Sequence, residues 1–167
     1  MIPLTEHENW MRQALELAQE AAQAGEIPVG AVVVKDGRIL ASARNEREEM
    51  CDVSAHAEIL ALRRAGQALG RWTLTDCTLY VTLEPCPMCA GAIVQARPAL
   101  VVFGAFDAQM GAMGSVYALH GDPRIRGNVP VIGGVLRESC QEALTAFFQR
   151  RRAQSEPFSI ESKGDLS

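Results

Sequence analysis

"TLYVTLEPCPMCAGAI" (residues 78–93) decides the fold of this 167-residue chain, because its periodicity changes halfway. With Cys77, the first half reads "CTLYVTL" (77–83), an apolar, β-branched run of buried-strand length. From Pro87 the pattern becomes helical and continues to Ala96. Proline suits the first helical position, where its missing N–H costs nothing. Cys86 then sits at the helix cap and Cys89 follows one turn later on the same face. The positive end of the helix dipole favours thiolate at both positions. A lone Cys-x-x-Cys still admits three readings: a redox pair, half of a structural metal site, or two ligands of a reactive centre.

The alternation extends outward in both directions. Upstream, Trp10, Met11, Ala14, Leu15, Leu17, Ala18, Ala21 and Ala22 recur at helical spacing, with Gly25 as a stop. "IPVGAVVVKDGRILASARN" (27–45) places Asp36-Gly37 between two apolar runs, a strong hairpin signal. "AHAEILALRRAG" (55–66) reads as a helix, with Ser54 as N-cap and Gly66 near its end. Downstream, "ALVVFGA" (99–105) and "VPVIGGVL" (129–136) read as strands and Glu138–Arg152 as a last helix. Strands alternating with helices predict an α/β fold: one sheet covered on both faces, made mixed by the hairpin. One domain is expected over residues 1–153, with a flexible tail over 154–167.

Composition sets the outer bounds. Apolar residues at 48% and charged residues at 22% are ordinary for a globular domain. No run of about 18 apolar residues is present, so no membrane span is expected. "MIPLTEHENW" lacks a basic region followed by an apolar core, which predicts a cytoplasmic protein with reduced thiols. The net charge of −4 disfavours a general nucleic-acid binder, yet residues 97–152 carry seven arginines against four acids. A local basic surface in the second half is compatible with that distribution.

A second helix start completes the cysteine pair. In "SAHAE" (54–58), His56 and Glu58 lie two apart, and at a helix N-terminus both can point past its end. If the two helix starts face each other, His56, Cys86 and Cys89 supply three ligands. Zinc with three protein ligands keeps a fourth position for water, whose pKa it lowers toward neutrality. A carboxylate beside the metal-bound His is placed for general acid/base work. A thioredoxin-like reading leaves His56 and Glu58 without a task. A structural zinc with Cys51, Cys77 or Cys140 as fourth ligand leaves Glu58 without one. His-x-Glu followed by Pro-Cys-x-x-Cys is the signature of zinc-dependent nucleobase deaminases, in which the Glu moves protons and is not a ligand.

With these residues the chain resembles the cytidine-deaminase-like superfamily, and within it the bacterial tRNA-specific adenosine deaminases. The likeness runs from about Glu8 to Arg152; "FGAFDAQMGAMGS" (103–115) and "AFFQRRR" (146–152) carry the narrower match. It implies a three-layer α/β/α sandwich around a mixed five-stranded sheet, working as a homodimer. It implies hydrolytic deamination of adenosine to inosine at the wobble position of the tRNA anticodon stem-loop. His56, Cys86 and Cys89 would hold Zn²⁺ and Glu58 would shuttle protons. Asn45 would hydrogen-bond the base, Asp107 would lie near the ribose, and Val29 would line the pocket. Phe147 would reach a base, and Arg150, Arg151 and Arg152 would lie along the RNA stem. The chain departs from this pattern twice. "EREEMCD" (46–52) holds four acids and one base, which should repel phosphates, and Arg126-Gly127 replaces an Asn-His pair. Two other readings follow from the same residues: a deaminase of free nucleobases or nucleosides, and a zinc-stabilised RNA-binding module without catalysis.

Overall fold

Asp36 and Gly37 both take positive φ, 49° and 69°, as a two-residue hairpin turn with the sheet's own twist requires. They join β1 (Gly30–Lys35) to β2 (Arg38–Arg44), with a bulge between Val33 and Val34. The computed structural model describes residues 3–125 and 127–155. α1 (Leu4–Gln23) precedes the hairpin; α2 (Arg47–Met50), α3 (Ala57–Leu69), β3 (Thr78–Leu83) and α4 (Pro87–Ala96) follow it. β4 (Leu100–Ala105), a 3₁₀ turn at Leu119–Gly121, β5 (Val131–Gly133) and α5 (Arg137–Ser155) complete the order.

The sheet is five-stranded, ordered β2-β1-β3-β4-β5. β1 pairs antiparallel with β2 and β3, whereas β3–β4 and β4–β5 are parallel. Alternation along the strands sends side chains to two cores. Ala31, Val33, Leu79, Val81, Val101 and Phe103 pack against α3 and α4 through Leu60, Ala61, Ala65, Ile93 and Val94. Val32, Val34, Tyr80 and Val102 pack against α1 and α5 through Met11, Ala14, Cys140 and Leu144. Helices therefore cover both faces, the three-layer sandwich expected from the sequence. On the second face α5 approaches so closely that a β-carbon at Gly104 would collide with the Cys140 side chain and the Thr82 carbonyl. Also there, His7 Nδ1 and the Tyr80 hydroxyl are hydrogen-bonded at 2.9 Å in the interior, and burial pushes the Tyr80 pKa up to about 12.

Several local expectations change. Ser54 does not cap α3; its N–H and hydroxyl both donate to the Asp52 carboxylate, and His56 occupies the N-cap. Gly66 lies inside α3, which ends at Gly70 in a left-handed conformation (φ 63°). The acidic segment 46–52 holds the short α2. α5 runs on to Ser155, past the expected end of the domain. The rest of the tail, 156–167, and Arg126 lie outside the described residues.

These connections gather the site at one sheet edge. β2 exits there into Asn45 and β3 into Glu84-Pro85-Cys86, while β1 enters just after Val29.

Candidate metal centre and substrate cavity

α3 and α4 both begin at that edge with a side chain turned toward the other helix start. His56 and Cys86 are the N-cap residues, each with extended backbone (ψ 150° and 172°) and no side-chain cap hydrogen bond. Pro87 opens α4, and Cys89 lies one turn in, fully buried. The His56 Nδ1 is 3.8 Å from Cys86 Sγ and 3.5 Å from Cys89 Sγ, and all three donor atoms lie within 4.8 Å of one another. Tetrahedral zinc with ordinary bond lengths sets an N···S separation of about 3.6 Å, so this donor set fits that ion. Cys51, Cys77 and Cys140 are not part of the group.

The donors are electrostatically coupled. Cys86 is drawn down to about 4, first by the hydrogen bond from the Cys89 thiol and then by His56. The same bond, together with burial, pushes the Cys89 thiol up. His56 is raised, chiefly by its hydrogen bond with Cys86. A divalent cation among the donors would favour thiolate at both sulfurs and so displace protons as it binds. Glu58 follows in the first turn of α3, 4% exposed, and burial pushes its carboxyl up to about 7.

A cavity of about 310 Å³ opens beside the donors, lined by His56, Cys86 and Glu58 together with Val29, Asn45 and Asp107. That volume is at the small end for ligand sites and suits a single base or nucleoside. Arg47 and Met110 also reach the lining.

Two buried carboxylates that the sequence reading passed over hold this lining in place. Glu26, 1% exposed, accepts from Asn45 Nδ2 at 3.3 Å and from the Glu49 N–H at 2.8 Å. A carboxylate only accepts, so the Asn45 amide must turn its nitrogen to Glu26. Glu84, 2% exposed, accepts from the N–H groups of Asp107 (3.1 Å), Met113 (3.1 Å) and Ser115 (3.0 Å), and from the Ser115 hydroxyl. The loop after β4 is thereby wrapped around one side chain. A β-carbon at Gly111 would strike that carboxylate. Within the loop, the Asp107 carboxylate accepts from the N–H groups of Gln109 (2.9 Å) and Met110 (3.1 Å). Acids directly after a strand are the only sequence signal for Glu84, and they are too common to be diagnostic.

The remaining expected residues are dispersed. Phe147 is 6% exposed and packs edge-on to Phe148, so the ring it was expected to offer a base is inside; Phe148, 42% exposed, is outside. α5 lends no residue to the cavity lining. Arg150 lines a separate hollow with Gln23 and Pro28, and Arg151 lies over the Phe147 ring at 5.9 Å. Arg152 sits in the last turn of α5. The repulsion expected from segment 46–52 is blunted, because its acids have partners. Glu46 pairs with Arg64 (3.4 Å), Glu48 with Arg47 (3.3 Å) and Glu49 with Arg44 (2.7 Å), while Asp52 holds Ser54.

Comparison with known proteins narrows the chemistry. The MafB19-like deaminase family matches residues 5–139. The chain is 47% identical over 149 residues to the tRNA-specific adenosine deaminase of Bacillus subtilis, covering 89% of this chain and 92% of that one. A solved structure from work on A-to-I editing by tRNA:A34 deaminases at the wobble position superposes with a TM-score of 0.79 at 41% identity. It covers 81% of this chain and 99% of its own. The guanine deaminase of Nitrosomonas europaea superposes with a TM-score of 0.73 at 27% identity, covering 84% of this chain and 83% of its own.

Proposed function

The chain belongs to the tRNA-specific adenosine deaminases of the MafB19-like deaminase family, and from that premise we propose how its residues convert adenosine to inosine in tRNA. The reaction is hydrolytic: adenosine and water give inosine and ammonia. The observation that carries the reading is a buried carboxyl, Glu58, sharing one small cavity with a three-donor metal group. We assign the target as the wobble adenosine of the anticodon stem-loop. Its base must leave the stack to enter the cavity, since the reactive carbon is inaccessible within it.

His56, Cys86 and Cys89 would hold Zn²⁺, which when bound lowers the pKa of a water in its open position and so supplies a nucleophile near neutral pH. Glu58 would move two protons in turn, both originating on the nucleophilic water, the first to N1 of the adenine and the second to the amine that departs as ammonia. A carboxyl whose pKa lies near neutrality can do both. Asn45, with its nitrogen taken by Glu26, offers its carbonyl oxygen to the base. Val29 forms an apolar wall, and Asp107 is assigned to the ribose side of the cavity. Arg150, Arg151 and Arg152 are assigned to the RNA stem, with Phe148 as the exposed ring of α5 and Phe147 as its packing residue.

Two copies are proposed to pair over the α3–α4 surface. There Trp72, 69% exposed, borders a hollow of about 770 Å³ lined by Ile59, Leu62, Gly66 and Ala92. No helix among the described residues is long and apolar enough to cross a membrane. The cytoplasm, where tRNA is used and thiols stay reduced, is the proposed location.

The experiment is direct. Zinc-loaded protein is incubated separately with an unmodified anticodon stem-loop bearing a wobble adenosine, with free adenosine and with guanine. Mass spectrometry then reads inosine, xanthine and ammonia. Inosine from the stem-loop alone is expected. Product from the free compounds alone would overturn the RNA assignment in favour of a free-purine deaminase, the reading favoured by the likeness to guanine deaminase.

A further inference from the structure

Phe106 directly precedes the cavity residue Asp107, yet its ring is not part of the cavity lining. It is 41% exposed on a loop that is otherwise held tightly by Glu84. The ring is nevertheless fixed. It meets Phe103 edge-to-face, with centroids 5.0 Å apart and planes at 86°. A β-carbon at Gly134 would come within 3.4 Å of it. The Arg137 guanidinium lies over it, 5.1 Å from the centroid. Arg137 opens α5, where a cation opposes the helix dipole, and among the described residues no carboxylate pairs with it. A packed, part-exposed aromatic ring that carries a guanidinium with no carboxylate partner over one face has the chemistry that binds a single-stranded nucleotide: a flat stacking surface for its base and a cation for its phosphate.

We propose that Phe106 and Arg137 form a platform outside the cavity for the nucleotide adjacent to the target adenosine. The ring stacks on that base, and the guanidinium pairs with the neighbouring phosphate. The proposal rests on the reading of the chain as a tRNA deaminase, and extends it from the reacting base to its neighbour. When the target base leaves the stack, the adjacent base loses a stacking partner, and the Phe106 ring replaces it. Stacking on an aromatic side chain is sequence-tolerant, so the platform would hold the loop without selecting the base.

The test uses zinc-loaded full-length protein and an anticodon stem-loop with 2-aminopurine at the nucleotide either 5′ or 3′ of the target. Phe106→Leu keeps apolar packing on Phe103 and Gly134 but removes the π-face; Phe106→Trp restores it. Flipping the target unstacks its neighbours and brightens the label. With wild type, one of the two labelled positions should brighten less on binding than it does with Phe106→Leu, and Phe106→Trp should restore that difference. For inosine formation, Phe106→Leu should raise KM roughly 5- to 150-fold, the range expected for one lost base–aromatic stack, with kcat within about twofold. Arg137→Gln should flatten the dependence of log K on log salt by about 0.7, one phosphate contact on a single strand. A wild type that forms inosine and brightens both positions as much as Phe106→Leu does, or a Phe106→Leu variant with unchanged KM, overturns the platform alone. A wild type that neither binds nor deaminates the stem-loop overturns both the platform and the functional reading beneath it.

Discussion

The two faces of the sheet bury similar side chains but treat their polar groups differently. On the α1–α5 face, His7 and the Tyr80 hydroxyl hydrogen-bond to each other, and the pair is closed to anything else. On the α3–α4 face, two helix starts converge on one edge, and their cap side chains, His56 and Cys86, are turned toward each other. His56, Cys86 and Cys89 meet there, with Glu58 buried beside them. One face thus closes its polar pair inside the core, whereas the other gathers metal-ligating groups and a buried carboxyl beside an open cavity, and that opening marks the chemistry. If this division is right, substitutions on the α3–α4 face cost turnover and those on the α1–α5 face cost stability.

Metal removal should give the largest effect. Stripping zinc with a chelator, or replacing Cys89 by Ala, should bring inosine formation to background. Zinc re-addition should rescue the chelated wild type but not the variant. Metal content by atomic emission, read alongside activity, checks this, and a Cys89→Ala protein that remains active without zinc would break the comparison at its strongest point. Glu58→Gln comes next. Losing a general acid/base typically costs 10²- to 10⁴-fold in rate. Zinc content should be unchanged and the melting temperature should not fall, because an amide avoids the cost of burying a charge. Full activity in Glu58→Gln would remove the proton-transfer role.

How legible these regions were follows from the range of their interactions. The hairpin and the β3–α4 junction are set by neighbours within a few residues, whereas His56 lies 30 and 33 positions from Cys86 and Cys89 and was paired with them by the motif, not by local pattern. Asp36-Gly37 has a turn type of its own, and Pro87 fixes where α4 begins. The sequence pattern therefore located them to within a residue or so. Glu26 and Glu84 were not legible, because their meaning lies in partners 19 to 31 positions away. A buried Glu looks like any other Glu until the backbone N–H groups around it are seen. The ends of α3 and α5 were missed for a related reason. Gly66 is tolerated inside a packed helix, and Ala153 and Gln154 carry no stop signal. Phe147 and Phe148 are adjacent in sequence, and only packing against the sheet decides which one is inside.

Glu84 tests whether the edge belongs to the chemistry or to the scaffold. Glu84→Gln places an NH₂ group against backbone N–H donors that now point at an oxygen. Hydrogen bonds to a charged group contribute about 1.5–3 kcal/mol each, so the loop carrying Asp107 and Met110 should shift. KM for the stem-loop should rise about tenfold or more by that same scale, with zinc content retained and kcat less affected. A variant that melts earlier but keeps its KM would assign Glu84 to the scaffold alone.

The smallest effect on turnover is expected from the opposite face, at Gly104. An added methyl there has no room between α5 and β3: it meets the Cys140 side chain on one side and the Thr82 carbonyl, at 2.8 Å, on the other. Overpacking of this kind typically costs about 1–3 kcal/mol. For a chain of this size that lowers Tm by about 2–4 °C per kcal/mol. Gly104→Ala should therefore melt several degrees earlier while kcat and KM stay near wild type. In a Cys140→Ala background the sulfur is gone, and the same substitution should lower Tm less. An equal loss in both backgrounds, with a Cys140→Gly background that also removes the β-carbon at 2.9 Å giving the same loss, would mean that the Thr82 carbonyl sets the limit. Strain would then be carried along β3, two residues from Glu84 and the cavity, and the two faces would not be separable.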